Sequence, residues 1–511
     1  MNILRSKYYG IIRGITVALA LFLQAATMIL LSLYLLKYFL ISYLLLEVVS
    51  ILIVFTLVYN EESYKSFWII IILILPVSGL FLYFVWGRRR HNSKSFKEVR
   101  KIEKEITEDY LKPNYQVVNE IYRKHPNKVQ ICRYLDREGF PIYQNTQVKY
   151  YPLGEDLFED MLKDIEQAHK FIFMEYFIVS DGIIWKKVLN LLTKKVEQGV
   201  EVRLLFDDFG TLILNTDDFR QDMKKRGIKL ATFGPIHKDV GSLSFNYRNH
   251  QKITVIDGNI GYTGGINIAD EYANLIERFG HWKDSGIRIY GEGVFSFTCF
   301  FMEMWKVSVT EDEFINCDVY RPIAAISEKG FVQPFMGGPH RNPLNPTEGA
   351  YTRMINKARD YIYITTPYLV LDRSMLEDLT SAARSGVDVR IICPHIYDKW
   401  YVYMVNVSNY GKLMGSGVRV YEYIPGFIHA KNIIVDDECA ICGTINTDYR
   451  SFYHHYECGV FFSEVDAIQD MKQDFINTLE QCQEMNLDEW NNRSYFQKLI
   501  QDTLKIMSPV L

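Results

Sequence analysis

Residues Asn249 to Asn267 read NHQKITVIDGNIGYTGGIN, and residues Ile428 to Asn446 read IHAKNIIVDDECAICGTIN. Each string holds His-x-Lys, four residues, Asp, six residues, Gly, two residues and Asn, so the His-to-Asn spacing is 17 in both. The first set is His250, Lys252, Asp257, Gly264 and Asn267; the second is His429, Lys431, Asp436, Gly443 and Asn446. Chance supplies one short His-x-Lys easily, but not two copies of an extended pattern. His and Lys two apart on a strand point to one face, and the adjoining runs ITVI and NIIV are strand formers. Asp257-Gly258 is a hairpin signal, and Asp436-Asp437-Glu438 is a polar turn. Folding the first string about its turn brings residue 266 or 267 opposite His250; the second fold does the same for Asn446 and His429. His, Lys and Asn therefore converge at one end of each hairpin. Each Asp lies about seven residues from its His, at roughly 3.3 Å per residue. Asp257 and Asp436 accordingly read as turn or strand-end residues.

Outward from these strings the chain repeats itself. KFIFMEYFIVSDG, a helical stretch and GVEVRLLFDD precede the first; DYIYITTPYLVLD, a helical stretch and GVDVRIICPH precede the second. A β-branched and aromatic run leads into a helix each time, and Gly199 or Gly386 opens the next strand. Such alternation specifies an α/β layered unit. The turn-rich segment PFMGGPHRNPLNP, residues 334–346, marks the boundary. The expected organisation is an anchor over 1–91, a basic linker over 92–125, halves over 126–333 and 347–485, and a helical tail over 486–511.

Two facing hairpins make one site with two His, two Lys and two Asn, which suits phosphodiester chemistry. Ammonium groups neutralise phosphate oxygens and amides donate to them. One imidazole attacks phosphorus while the other protonates the leaving alkoxide. No metal or cofactor is expected, since neither H-E-x-x-H nor an Asp-rich cluster is present. The balance of 57 Lys+Arg against 61 Asp+Glu argues against a general nucleic-acid binder. Eight Cys without a dense framework, and a lone Cys439-x-x-Cys442 in an apolar strand-like run, read as buried thiols.

The first ninety residues are different. Apolar runs 15–36, 38–59 and 67–86 are each 20–22 residues long, and about 20 helical residues cross a bilayer. Gln24 is the strongly polar member of the first run, and Pro76 interrupts the third. The basic cluster Arg88-Arg89-Arg90 and the acidic loop Asn60-Glu61-Glu62-Ser63 place the chain beyond Arg90 on the cytoplasmic side. A multi-pass cell-membrane protein is the expectation.

The two strings resemble the paired HKD motifs of the phospholipase D superfamily. GYTGGINIADEY, HWKDSGIRIYGEGV, VRVYEYIPGFIHAKN, GTINTDYRSFYHHYECG and the N-terminal FLYFVWGRRR resemble bacterial cardiolipin synthases in particular. The resemblance implies two pseudo-repeated phospholipase D-like α/β/α domains preceded by transmembrane helices, with one active site between the halves. It implies a catalytic set of His250, Lys252, Asp257, His429, Lys431 and Asp436, phosphate-binding Asn267 and Asn446, and His250 as nucleophile. An acidic residue after each motif often orients a His in the superfamily, which makes Glu271 and Glu457 the candidates. The implied reaction moves a phosphatidyl group from one phosphatidylglycerol to another through a phosphohistidine, releasing glycerol. Hydrolysis by a phospholipase D, a phosphatidylserine synthase activity and a silent lipid-binding scaffold are the alternatives. Two departures from the pattern are the extra run Ile15–Leu36 and His454-His455, where Leu-Asn is often found.

Overall fold

Seven strands form the first sheet: β1 (Thr146–Tyr151), β2 (Phe171–Tyr176), β3 (Glu201–Asp207), β4 (Lys229–Phe233), then, past the two-residue β5 (Arg248–Asn249), β6 (Lys252–Ile256), β7 (Ile260–Gly264) and β8 (Gly286–Gly291). Their order is β1-β8-β7-β6-β2-β3-β4. The second sheet holds β9 (Phe331–Gly337), β10 (Tyr361–Thr365), β11 (Asp388–Pro394), β12 (Arg419–Tyr423), β13 (Asn432–Val435), β14 (Cys439–Gly443), β15 (His455–Ser463) and β16 (Cys482–Glu484). It runs β16-β12-β11-β10-β13-β14-β15-β5, with β9 also on β15. The path β8-β7-β6-β2-β3-β4 is thus repeated as β15-β14-β13-β10-β11-β12. In both, three antiparallel strands adjoin three parallel ones. This computed structural model describes residues 18–30, 33, 39–55, 65–84, 94–124, 129–234, 247–309, 314–341 and 345–508.

The repeat is built by the same local rules twice. Strands β2 and β10 are buried along their whole length, as parallel strands covered on both faces are. Helices Ile183–Glu197 and Arg373–Arg384 cross back to β3 and β11. Gly199 and Gly386 end the two helices with φ of 88° and 96°, a conformation that costs any residue with a Cβ. Asp257 and Gly258 have φ of 54° and 71°, and Asp436 and Asp437 both have 54°. Positive φ at two central residues is what a type I′ hairpin turn requires. The helix Val294–Ser308 is mostly apolar and is buried without a break from Val294 to Trp305, as a helix enclosed between layers is. The two cysteines of the C-x-x-C lie buried in β14, and both are free.

Two expectations about organisation are corrected. The stretch read as a basic linker contains helices Lys94–Glu103 and Tyr115–Lys124 joined by a π-helical turn, and Val99, Ile102, Ile106 and Leu111 enter the main core. Its charges occupy the outer face and mask an apolar stripe. The boundary segment begins inside β9: Pro334 faces Val460 of β15, and proline is tolerated there because β9 is an edge strand. Among the described residues no helix is long and apolar enough to cross a membrane, and parts of the runs 15–36, 38–59 and 67–86 lie outside them. Residues 18–30 are helical, the next helix is Phe39–Ile53, and the third run breaks into Lys65–Ile74 and Pro76–Leu82. Proline has no N–H and clashes with the preceding turn. Gln24 Oε1 accepts from Val77 and Ser78 N–H at 3.0 and 3.2 Å, satisfying two donors that the break leaves open. The loop 60–63, the cluster 88–90 and residues 342–344 lie outside the described residues.

Candidate active site

The pairing Ile253–Thr263 and Asn432–Cys442 extends to place residues 266 and 445 opposite the two histidines, so Asn267 and Asn446 stand one residue further on. Each histidine is then pinned by the opposite half. His250 N–H donates to Tyr456 C=O at 2.9 Å, and His429 N–H to Lys283 C=O at 2.7 Å. His455 and Tyr456 pair with Arg248 and Asn249, so β15 and β5 carry the join up to the first motif.

The side chains cross over in the same way. His250 Nδ1–H donates to Glu457 at 2.9 and 3.0 Å, and His429 Nδ1–H donates to Asp284 Oδ2 at 2.6 Å. Both carboxylates are fully buried. With Nδ1 protonated and held, Nε2 of each ring carries the lone pair and turns toward the interior. Both rings, with Asn267 and Asn446, line one cavity of about 370 Å³. Around His429 stand Trp282, Tyr272 and Phe427, with ring centroids 5.5–5.7 Å away. Around His250 stand Phe177 and His455 at 5.0 and 5.3 Å.

Burial and the neighbouring lysine charges push His250 well below the ordinary histidine range. His429 is pushed down to about 4 by burial and Lys431, with Asp284 opposing. Both imidazoles are therefore neutral in the empty cavity at neutral pH. Burial lowers Lys252 to about 7 and Lys431 to about 8. Neither lysine is on the cavity wall: Lys252 Nζ donates to His250 C=O at 2.7 Å, and Lys431 Nζ donates to His429 C=O. Their charge reaches the site from just behind it.

Not every expected residue is brought in. Asp257 accepts from the N–H groups of His169, Lys170 and Phe171 at 2.7–3.0 Å, and Asp436 from Arg359, Asp360 and Tyr361 at 2.8–3.0 Å. Each closes the start of the neighbouring strand at the far end of its hairpin and has no part in the cavity. Glu271 accepts from Arg278 Nη1 at 2.8 Å and touches neither motif histidine. Asp284 holds the position expected for it. The signal for Asp284 is in the repeat: Asp284-Ser285-Gly286 matches Glu457-Cys458-Gly459, because Gly286 pairs with Gly264 as Gly459 pairs with Gly443.

Among the described residues His250, His455 and Glu457 bring possible metal-ligand atoms within 4.8 Å of one another. Glu457 already accepts from His250, from Ser451 Oγ at 2.7 Å and from Thr444 Oγ1. That donor set suits a carboxylate that orients a histidine.

Residues 161–278 and 351–479 match the family model described as cardiolipin synthase, PLD-like domain, and residues 48–88 match the phospholipase D-nuclease N-terminal model. The chain belongs to this phospholipase D-like family. It is similar, at 32% identity, to cardiolipin synthase 2 of Bacillus anthracis, over 91% of this chain and 90% of that one. It is also 39% identical to an uncharacterized protein of Streptococcus mutans serotype c, over 87% and 96% of the two chains. The crystal structure of phosphatidylserine synthase from Haemophilus influenzae shares the fold, with a TM-score of 0.58 at 15% identity over 74% of this chain and 99% of that one.

Proposed function

We propose that this chain is a membrane-anchored phosphatidyltransferase of the cardiolipin synthase type, using phosphatidylglycerol as donor and acceptor. The observation that carries the reading is the crossed pair His250–Glu457 and His429–Asp284, opening on one cavity. A carboxylate on Nδ1 fixes the tautomer and stabilises a ring that gains positive charge. In the first step His250 Nε2 attacks phosphorus. The bond to the glycerol oxygen breaks, and that oxygen takes a proton from His429 Nε2. In the second step a hydroxyl of another phosphatidylglycerol attacks the same phosphorus. Its proton passes to His429, the phosphorus–nitrogen bond breaks, and cardiolipin leaves. The incoming phosphodiester charge favours a protonated His429, which the empty cavity disfavours. Lys252 and Lys431 would neutralise the phosphate from behind the wall, and Asn267 and Asn446 would hold its oxygens.

Transfer in place of hydrolysis requires that an acceptor displace water. The aromatic wall of Phe177, Phe279, Trp282, Tyr401 and Phe427 supports that choice. In this reading the apolar runs within residues 1–91 hold the enzyme at the bilayer, with the catalytic halves on the cytoplasmic side. The 32% identity to a cardiolipin synthase favours this activity over hydrolysis. The test is product analysis with purified protein and phosphatidylglycerol in detergent micelles. Cardiolipin with equimolar glycerol is expected. Phosphatidic acid alone would make it a hydrolase, and no product would leave the scaffold reading.

A further inference from the structure

Four cations reach the wall of the catalytic cavity, in front of the motif lysines: Arg248, Arg278, Lys399 and Arg450. Three of them have carboxylate partners. Arg248 lies 3.7 Å from Asp207, Arg278 is 2.8 Å from Glu271, and Lys399 bonds to Asp398. Among the described residues Arg450 has no carboxylate within 4.0 Å and no hydrogen bond from its side chain. Asp448 is the acid closest to it in sequence, but its Oδ1 accepts from Ser451 N–H at 2.7 Å, and burial raises it to about 6. Arg450 is half-buried on the cavity wall, feels the Asp448 charge only at longer range, and is repelled by Arg248. A half-buried guanidinium without a protein acceptor has its donors open to the cavity, and its five donors suit phosphate oxygens.

Its place in the chain fixes where such an anion would sit. Arg450 lies between Asn446 of the second motif and Glu457, the carboxylate on His250. Its charge depresses the proton affinity of His455, whose ring is 5.3 Å from that of His250. An anion on Arg450 is therefore close to the phosphorus that would be held on His250, yet distinct from it.

We infer that Arg450 forms a second phosphate subsite, which takes the phosphodiester of the molecule that supplies the attacking hydroxyl. The inference rests on the transferase reading above and adds to it how the acceptor is chosen. Donor and acceptor each bring one negative charge to the cavity. The motif lysines, histidines and asparagines serve the phosphorus that is transferred. Arg450 is left for the phosphate that is not. When the acceptor hydroxyl attacks phosphohistidine, its proton goes to His429 and the phosphorus–nitrogen bond breaks. The acceptor's own phosphate stays intact throughout, so the subsite needs only to hold it.

Two soluble acceptors with the same attacking alcohol separate the possibilities. Labelled glycerol and labelled glycerol 3-phosphate are offered to the full-length protein with micellar phosphatidylglycerol as donor. The quantity read is the ratio of kcat/KM for the two, which a general loss of folding or turnover does not move. The unaltered protein should favour glycerol 3-phosphate by about 10- to 100-fold, the range for one charge-assisted contact. Arg450→Gln should bring the ratio close to one, and Arg450→Lys should retain part of the preference. Equal use of the two acceptors by the unaltered protein would overturn the inference, as would a preference that survives in Arg450→Gln. Stimulation of glycerol transfer by added inorganic phosphate would assign the subsite to a free anion and also overturn it. If the unaltered protein forms neither labelled product nor cardiolipin, the transferase reading itself fails and takes the inference with it; cardiolipin without transfer to glycerol 3-phosphate would overturn the inference alone.

Discussion

Replacing Asp284 by Asn should separate the two chemical duties of the site. Asp284 is fully buried and accepts the His429 Nδ1–H at 2.6 Å, while its Oδ1 accepts from Ser285 N–H at 2.8 Å. Asn keeps the shape and removes the charge. His429 is already held at about 4 by burial and Lys431, with Asp284 the principal opposing influence. Without that carboxylate, imidazolium becomes harder to form. A hydrogen bond to a charged group contributes about 1.5–3 kcal/mol, which is about 10- to 100-fold in rate if it is made mainly when His429 carries the proton. The loss should appear only where a proton must be delivered. With phosphatidylglycerol, whose leaving alkoxide needs that proton, Asp284→Asn should lose about 10- to 100-fold in kcat. With a phosphatidyl ester of a nitrophenol, whose leaving group departs unaided, acid-labile label on His250 should form at close to the normal rate. Glu457→Gln should slow both substrates, because it disturbs the nucleophile. Equal losses with both substrates in Asp284→Asn would refute the assignment of His429 as the acid.

Other outcomes rest on the same geometry. Chelation of divalent ions should leave transfer largely intact in micelles, since lysines, histidines and asparagines carry the phosphate charge; loss in chelator with recovery on adding an ion would oppose this. Lys252 and Lys431, lowered to about 7 and 8, lose their protons as pH rises, so kcat/KM should fall between about pH 7 and 9. Bound phosphodiester keeps them charged, so kcat should hold over that window, and a parallel fall in kcat would argue against lysine titration. Gln24→Leu should leave the N–H groups of Val77 and Ser78 without their acceptor, at about 1–3 kcal/mol for each buried donor; hydrogen exchange at those two amides should speed up by at least about tenfold. Removal of residues 1–36 should leave a protein that still partitions into membranes if the second and third runs suffice as anchor, and a soluble product would assign anchoring to the first run.

The sequence is informative where chemistry is local. His-x-Lys followed by four strand formers and an Asp turn determines the hairpin, its register and the end at which His and Asn meet. It does not say which carboxylate serves which histidine, because that contact crosses between halves. Asn446 is 11 residues before Glu457 and Asn267 is 17 before Asp284, and the longer segment holds the turn Asp270–Ala273. The same count of 11 from Asn267 lands on Arg278, and the early acid Glu271 stands only four residues past the motif, so distance along the chain does not find Asp284. Alignment through the strand glycines Gly286 and Gly459 leads to Asp284. The stretch 92–125 reads as a linker for a different reason. Lys and Glu dominate its composition, while burial depends on the spacing of Val99, Ile102 and Ile106, which recurs every three to four residues. At β9, Pro334 and Gly337 carry turn composition into an edge strand, where the missing N–H of proline costs no ladder bond.

The crossed carboxylates also bear on why two matching half-sites should act unequally. Each histidine has the same backbone support and the same lysine behind it, so the strand framework alone would make them equivalent. The surroundings differ. Glu457 is shared among His250, Ser451 and Thr444, so its charge is spread over three donors. Among the described residues no hydroxyl group competes for Asp284, and the bond from His429 to its Oδ2 is shorter. His250 also has the half-buried His455 beside it and feels Lys252, Lys431 and His429 together. Protonation is accordingly easier at His429 than at His250. In the proposed mechanism the ring that stays neutral keeps its lone pair for phosphorus, and the ring that protonates more readily delivers a proton to the leaving alkoxide. Exchanging the two carboxylates, with Asp284→Glu and Glu457→Asp in one protein, tests whether this asymmetry resides in the acids. If it does, acid-labile label should appear on His429 as well as His250. Label confined to His250 would place the asymmetry in Ser451, Thr444 and His455 instead.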